Sequence, residues 1–265
     1  MSVHEKKSDV NLSVAIERSK DAFYFSFFKY HYNEMYIYMR PRKIVKKIKE
    51  AGLGDIDLDK IPTDDKATFE LFQCGDTEEI DPFCTSRLML LMQKMKPDHF
   101  EDLTALLYLE NNFIIESAIG SGIEPCIADR YIERKHGMSP FEYDLPILKD
   151  ILGETYGMIF YWEQVMQIAM SLAGFSPEEA NILRKTFLKV RADKIEAQRR
   201  LFILGAAQND ISEKLSGKIY DEIKLYWWQY CLKKYYVVEC ALLGYRMAWL
   251  KVHYPREFDS GLHSF

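Results

Sequence analysis

The sequence predicts a mainly α-helical protein, and three observations support this fold class. Apolar residues recur every three to four positions in several long segments. Two segments begin with residues that commonly cap helices, Thr63 and Ser176. Strand signals are few, and the stretch GMIFYW at residues 157–162 suits either a short strand or the approach to a helix. We therefore expect helices throughout, with at most a small sheet near the N-terminus.

The N-terminal stretch suits either a strand or a helix, whereas the two segments after it are predicted as helices. Residues 1–40 contain the aromatic cluster AFYFSFFKYHY, which suits a buried strand or a buried helix. Residues 40–50, RPRKIVKKIKE, have the spacing of an exposed amphipathic helix. Thr63 then predicts the N-cap of a helix with two acidic residues in its first turn, and Gly75 predicts its end.

The later elements alternate helices with two irregular stretches. Residues 111–125 and 135–146 lack periodicity and predict the main loops. Ser176 predicts another N-cap, with Pro177 at the first helical position and Glu179 completing a capping box. Two more helices are predicted from DISEKLSGKIYDEIKLYWWQY and from VVECALLGYRMAWLKVHYP, and a proline stops the second.

Composition limits the possible function classes. A hydrophobic fraction of 48% is that of a globular protein, and a net charge of −5 argues against coating of nucleic acid by global charge. Any polyanion site must therefore be a local patch. The start of the chain lacks the apolar run of a signal peptide, and we expect no membrane segment and a cytoplasmic location. Five scattered cysteines without a CxxC pair fit free thiols in a reducing compartment: Cys74, Cys84, Cys126, Cys231 and Cys240.

The most distinctive stretch is residues 154–176, ETYGMIFYWEQVMQIAMSLAGFS. Three polar residues, Glu163, Gln164 and Gln167, fall outside its apolar stripe. Spacing alone predicts an amphipathic helix with a solvated polar face. The stripe itself consists of five residues at helical spacing: Trp162, Val165, Met166, Ala169 and Leu172.

This stretch closely resembles a signature of the bacterial C-family replicative DNA polymerases, the DNA polymerase III alpha subunits. The resemblance covers residues 51–258 in the family's order of blocks. It implies a helical fingers domain at residues 51–265, preceded by a palm-like remnant at residues 1–50, and it places the polar face of the helix near the nucleotide cleft. The other matching blocks are DIDLDKIPTDDKATFELFQCGDT, MKPDHFEDLTALL, DRYIERKHG, ILRKTFLKVRADK and AWLKVHYPREF.

The family's catalytic residues are not matched. Its palm holds two divalent ions with three aspartates, and two of these would lie upstream of anything present here. The third falls on His31, in FKYHYNEM, and imidazole is a poor ligand for magnesium. No other cluster has metal-ligand or nucleophile spacing. We therefore expect no catalytic residue, no metal site and no cofactor.

Other family motifs are also eroded. Residues 111–114, NNFI, replace an Arg-Pro-Gly-Pro turn, and Asp81 and Pro82 replace a Phe-Gln pair. Leu188 replaces a glycine of the basic block, and residues 233–236, KKYY, replace an Asn-Lys-Ser-His motif. Scaffold positions thus match while site positions do not, which is the pattern of a folded protein that has lost catalysis.

A basic block is the best-preserved candidate site. Its seven basic and two acidic residues between positions 184 and 200 give a local excess of 7 − 2 = +5. The resemblance implies that such a block contacts the triphosphate, and basic side chains suit phosphate oxygens. A solvated basic helix face is the alternative. The predicted phosphate-binding residues are Arg184, Lys185, Lys189 and Arg191 of this block, together with Lys234, the one match to the eroded Asn-Lys-Ser-His motif.

Lys135 and His136, in the matched block RKHG, are expected to pack or cap a helix at least as readily as to contact a ligand. The leading functional hypothesis is a polymerase-like pseudoenzyme of DNA replication that keeps a contact with DNA or a nucleoside triphosphate, or with replication proteins. The alternatives are one chain of a split polymerase, with its palm on a separate chain, and a helical protein-interaction module.

Overall fold

The computed structural model describes residues 34–119, 127–188, 192–230 and 232–263. Over these residues the protein is helical, and the only β-type pairing is an isolated parallel bridge between Tyr161 and Leu232. The mainly α prediction is therefore confirmed. Of residues 1–40, for which a buried strand or a buried helix was expected, residues 34–40 lie in a helix and residues 1–33 lie outside the described ranges. The helices are α1 (Glu34–Glu50), α2 (Lys66–Cys74), α3 (Ser86–Met95), α4 (Phe100–Ile119), α5 (Ile127–Lys135), α6 (Pro146–Leu152), α7 (Trp162–Ala173), α8 (Pro177–Leu188), α9 (Ala192–Gln208), α10 (Glu213–Tyr230), α11 (Lys234–His253) and α12 (Pro255–Leu262).

Contacts divide the chain into two compact units. The first comprises residues 1–72, 76–85 and 242–265, and the second comprises residues 73–75 and 86–241. The predicted division at residue 50, into a palm-like and a finger-like part, stays a prediction. None of the described helices combines the length and the apolar character needed to cross a bilayer.

The first unit packs α1 against α12. Ile44 is fully buried there, and a Cβ at Gly261 would lie only 2.7 Å from its Cγ1 atom, so this crossing needs a glycine. A second contact group is aromatic: the ring of Phe72 lies 5.1 Å from that of Phe83 and 6.3 Å from that of Tyr245. Helix α1 also confirms the amphipathic helix predicted for residues 40–50.

The second unit is organised around α7, whose apolar stripe is buried as predicted, with Met166 partly buried. Helices α6, α8 and α9 pack against it, and α10 packs against α8 and α9. At the crossing of α7 and α9, a Cβ on Gly205 would overlap the carbonyl oxygen of Ala173, so only glycine lets the backbones approach this closely. Helix α7 ends at Gly174, which has a φ of 65°.

Local capping signals were predicted with mixed success. Ser176 and Glu179 form the predicted capping box. The backbone N–H of Ser176 donates to Glu179 Oε2 at 2.8 Å, and the backbone N–H of Glu179 donates to Ser176 Oγ at 3.2 Å. Thr63 is not the N-cap of α2, because that helix begins at residue 66 and Asp65 accepts the backbone N–H of Thr68 at 2.8 Å. Asp65 also accepts the Thr68 hydroxyl at 2.6 Å.

The loop predictions were also partly right. Residues 136–145 lie between α5 and α6 and form no regular element, as predicted. The loop predicted for residues 111–125 was wrong over its first part, because α4 continues to Ile119. Residues 120–126 lie outside the described ranges. The buried Tyr108 ring stacks 3.8 Å from that of Phe160, so packing holds the preceding part of α4 against the approach to α7.

Candidate phosphate-binding site

The start of α7 is fixed by the side chain of Gln164. Its Oε1 accepts the backbone N–H groups of Phe160 at 2.8 Å and Tyr161 at 3.0 Å. Its Nε2 donates to the Thr155 hydroxyl at 2.9 Å and to the Ile151 carbonyl at 3.4 Å. Gln164 is only 2% exposed, so a solvated polar face was the wrong prediction for this residue. Its amide instead supplies partners to backbone groups that water does not reach.

The other two polar residues of α7 behave differently. Gln167 is exposed, as a solvated face predicts. The carboxylate of Glu163, which is half-buried, accepts the backbone N–H of Lys234 at 3.2 Å on each oxygen. Lys234 is the first residue of α11, so this acid satisfies an N–H that no carbonyl of that helix can reach.

Arg184 lies at the same end of α7. Its guanidinium carbon is 4.6 Å from the centroid of the Trp162 ring, a cation–π distance. Its Nε donates to the Asn181 side chain at 2.9 Å, one turn earlier in α8. These two contacts fix the plane of the guanidinium group. Arg184 is nevertheless partly exposed to solvent.

Lys234 occupies the neighbouring position. Its Nζ donates to Glu154 Oε2 at 2.5 Å and lies 5.7 Å from the Tyr161 ring. Burial raises the pKa of Tyr161, which keeps this phenol neutral beside the ammonium group. Lys234 and Arg184 thus each contact the ring of one of two consecutive residues, Tyr161 and Trp162.

The other three predicted phosphate-binding residues are Lys185, Lys189 and Arg191. Lys185 is exposed on α8, next to Arg184 in the sequence. Lys189 and Arg191 lie outside the described residues. The structure therefore places Arg184 against Trp162 and Lys234 against Tyr161, two consecutive residues at the start of α7, and leaves Lys185 open to solvent. The partners Glu154 and Glu163 were not predicted, because they lie 80 and 71 residues from Lys234 in the sequence and no local pattern connects them.

The family's chemistry implies divalent metal ions, and one acidic group among the described residues has a suitable spacing. Ligand atoms of Asp98, His99 and Asp102 lie within 4.8 Å of one another. The Nζ of Lys135, however, lies 2.5 Å from an oxygen of Asp98 and 2.8 Å from one of Asp102. One ammonium group thus already pairs with both carboxylates and occupies the side from which a cation would bind them, so the group does not fit a magnesium ion.

This ion pair shifts the pKa values of its members. Partial burial raises the pKa of Asp98, but the hydrogen bond from Lys135 and the positive charge of that residue outweigh it and lower the pKa to about 2. For Lys135, burial lowers the pKa, while the bonds to the two aspartates outweigh that effect and raise it. Lys135, whose side chain is 6% exposed, thus pairs with the protein's own acids, and His136 Nε2 lies 3.2 Å from the Lys94 carbonyl oxygen.

Comparison with known proteins extends the resemblance seen in the sequence. Residues 41–210 match the family model described as the bacterial DNA polymerase III alpha subunit finger domain. The chain is 36% identical over 217 residues to the DNA polymerase III subunit alpha of Aquifex aeolicus (strain VF5), covering 82% of this chain and 18% of that protein.

Two relatives of the same name come from Staphylococcus aureus. Strain Mu50 / ATCC 700699 has one that is 37% identical over 221 residues, covering 83% of this chain and 20% of the relative. The relative from strain COL is 38% identical over 216 residues, which cover 82% of this chain and 19% of the relative. The chain thus spans about a fifth of the length of the curated relatives it matches.

Proposed function

The chain belongs to the family of bacterial DNA polymerase III alpha subunit finger domains, and from that premise we propose that it binds phosphate groups of DNA or of a nucleoside triphosphate without catalysing polymerisation. The residues proposed to contact phosphate are Arg184 and Lys185 on α8, Lys234 at the start of α11, and Lys189 and Arg191, which lie outside the described residues. A cytoplasmic location and partners among replication proteins belong to the same proposal.

One observation supports the binding proposal: Arg184 and Lys234 lie against the aromatic rings of two consecutive residues, Trp162 and Tyr161, at the start of α7. Their sequence positions are 50 apart, so the fold and not local composition places the two cations there. The exposed ammonium group of Lys185 follows Arg184 directly. Cations gathered in this way favour a polyanion, because every phosphate contact releases counterions from it.

The proposal that the chain is inactive rests on the acidic side chains needed to hold metal ions. Polymerisation by this family's chemistry needs acidic side chains that hold two divalent ions at the reacting phosphates. Among the described residues, the one acidic group with suitable spacing has Lys135 bound to Asp98 and Asp102. Elsewhere in the sequence, His31 stands where the resemblance expects an aspartate. Both observations support a polymerase-like protein that is inactive by itself.

The binding test reverses the two described cations of α8. We expect the unmodified protein to bind a fluorescein-labelled single-stranded oligonucleotide more weakly as salt rises, measured by fluorescence anisotropy. The double variant Arg184→Glu and Lys185→Glu should lose binding, and each lost phosphate contact should lower the salt slope by about 0.7 to 1. Titration with a deoxynucleoside triphosphate separates a nucleotide site from a DNA site.

The matched control is the double variant Lys214→Glu and Lys224→Glu, whose residues are exposed on α10. It changes the net charge by the same amount but leaves α8 intact. Equal losses in the two double variants would show a general charge effect and would contradict a specific site. Absence of binding by the unmodified protein at low salt would leave the basic block as a solvated helix face.

A further inference from the structure

Lys234 offers two kinds of positive group to an anion, and the protein's own acids occupy both. The first is the backbone N–H at the start of α11, which donates to both oxygens of Glu163. The second is Nζ, which donates to Glu154 Oε2 at 2.5 Å. Helix N-termini and lysine ammonium groups are also the groups that proteins use to bind phosphate.

Both acids come from one short segment. Residues 154–163 run from the 3₁₀ turn at Gly153–Thr155 to the first turn of α7. Gln164 fixes the end of this segment through its bonds to Phe160 and Tyr161. The backbone that carries the two acids is therefore anchored by buried hydrogen bonds, while the carboxylate of Glu154 itself stays partly exposed.

We propose that Glu154 and Glu163 stand in for phosphate oxygens at Lys234, so that an external phosphate must displace the carboxylate of Glu154 to reach the ammonium group. This inference rests on the proposed phosphate binding and adds an affinity-determining residue to it. Glu154 is the one displaced, because it holds a mobile side-chain group, whereas Glu163 holds a helical backbone N–H. The side chains of Lys234 and Glu154 remain 36% and 28% exposed, so a ligand can reach the pair from solvent.

Two effects make Glu154 an obstacle to binding. Its charge neutralises the ammonium group, and once displaced it would repel an incoming phosphate at short range. Glutamine at position 154 keeps the shape and can still accept one hydrogen bond, but it removes the negative charge. Partly exposed ion pairs are weak, so we expect Glu154→Gln to tighten binding by roughly two- to fivefold.

The experiment measures binding of inorganic triphosphate and of a labelled single-stranded oligonucleotide at low salt. It compares the unmodified chain, Glu154→Gln and the exposed control Glu142→Gln, which makes the same change in net charge. Each variant is also made with Lys234→Met. Thermal unfolding of every variant shows whether the fold is kept. Tighter binding by Glu154→Gln, absent from Glu142→Gln and abolished by Lys234→Met, is the expected result.

The other outcomes separate the two proposals. If the unmodified chain binds and Glu154→Gln binds equally well, the displacement inference is wrong while phosphate binding stands. If the gain persists with Lys234→Met, Glu154 acts by general charge and the inference is equally wrong. If no variant binds either probe, the proposed function fails and the inference fails with it. Tightening for triphosphate alone identifies a nucleotide site, and tightening for the oligonucleotide alone identifies a DNA site.

Discussion

Gln164 illustrates how one side chain can determine a local structure. All four of its hydrogen bonds lie inside the protein, two accepted from backbone N–H groups and two donated. Gln164→Leu fits the space approximately but leaves these buried groups without partners, so we expect a loss of about 2–4 kcal/mol in the free energy of unfolding. Urea denaturation of both proteins measures this loss in the free energy of unfolding.

Gln167 provides the control for this residue-scale prediction. It lies on the same helix and is exposed. Gln167→Leu should change the free energy of unfolding by no more than about 0.5 kcal/mol. Equal effects of the two substitutions would contradict a structural role for the Gln164 bonds.

At the scale of a secondary-structure element, α2 depends on its N-cap. Asp65 accepts the Thr68 backbone N–H and hydroxyl, and its own N–H donates to the Tyr245 hydroxyl at 2.8 Å. We expect Asp65→Ala to destabilise the protein by about 1 kcal/mol at pH 7. Asp64→Ala and Thr63→Ala, at exposed positions that do not cap the helix, should be nearly neutral.

The stabilisation by Asp65 should depend on pH. Partial burial raises the pKa of Asp65, but hydrogen bonds from Thr68 and His253 outweigh this and lower it from its ordinary value of 3.8. A lowered pKa means that the stabilisation is complete above the unfolded-state value and disappears as the pH falls through the folded-state value. The difference in the free energy of unfolding between the unmodified protein and Asp65→Ala should therefore shrink as the pH falls below 3.8. A constant difference down to pH 2 would contradict this role.

At the scale of the whole molecule, the proposal concerns catalysis. The purified 265-residue chain should not extend a primer on a DNA template with magnesium or manganese. His31→Asp should not restore activity, because one carboxylate cannot hold two ions. Gel analysis of a labelled primer measures its extension, and a complete polymerase serves as the positive control. Extension by the chain alone would refute inactivity, and extension only with a palm-bearing chain would support a split polymerase.

The whole molecule also shows which features were predictable from sequence. The Ser176 capping box and the α7 stripe depend on residues a few positions apart, so periodicity and spacing located them. The N-cap of α2 was misplaced because Thr63, Asp64 and Asp65 can all cap a helix. The capping residue, Asp65, also bonds to Tyr245, 180 residues away. Lys234 came from the resemblance, but its pairing with Glu154 needed the fold.

The stacking of Arg184 on Trp162 has an optical consequence. An indole's emission energy depends on nearby charge, and this ring has a guanidinium group 4.6 Å from its centroid. Phosphate that turns the guanidinium away from the ring would alter that electric field and thus the fluorescence of Trp162. The chain has four tryptophans, so Trp162→Phe identifies the signal of this one. The residue that positions the arginine is therefore also an intrinsic fluorophore, which reports on the site without an added label.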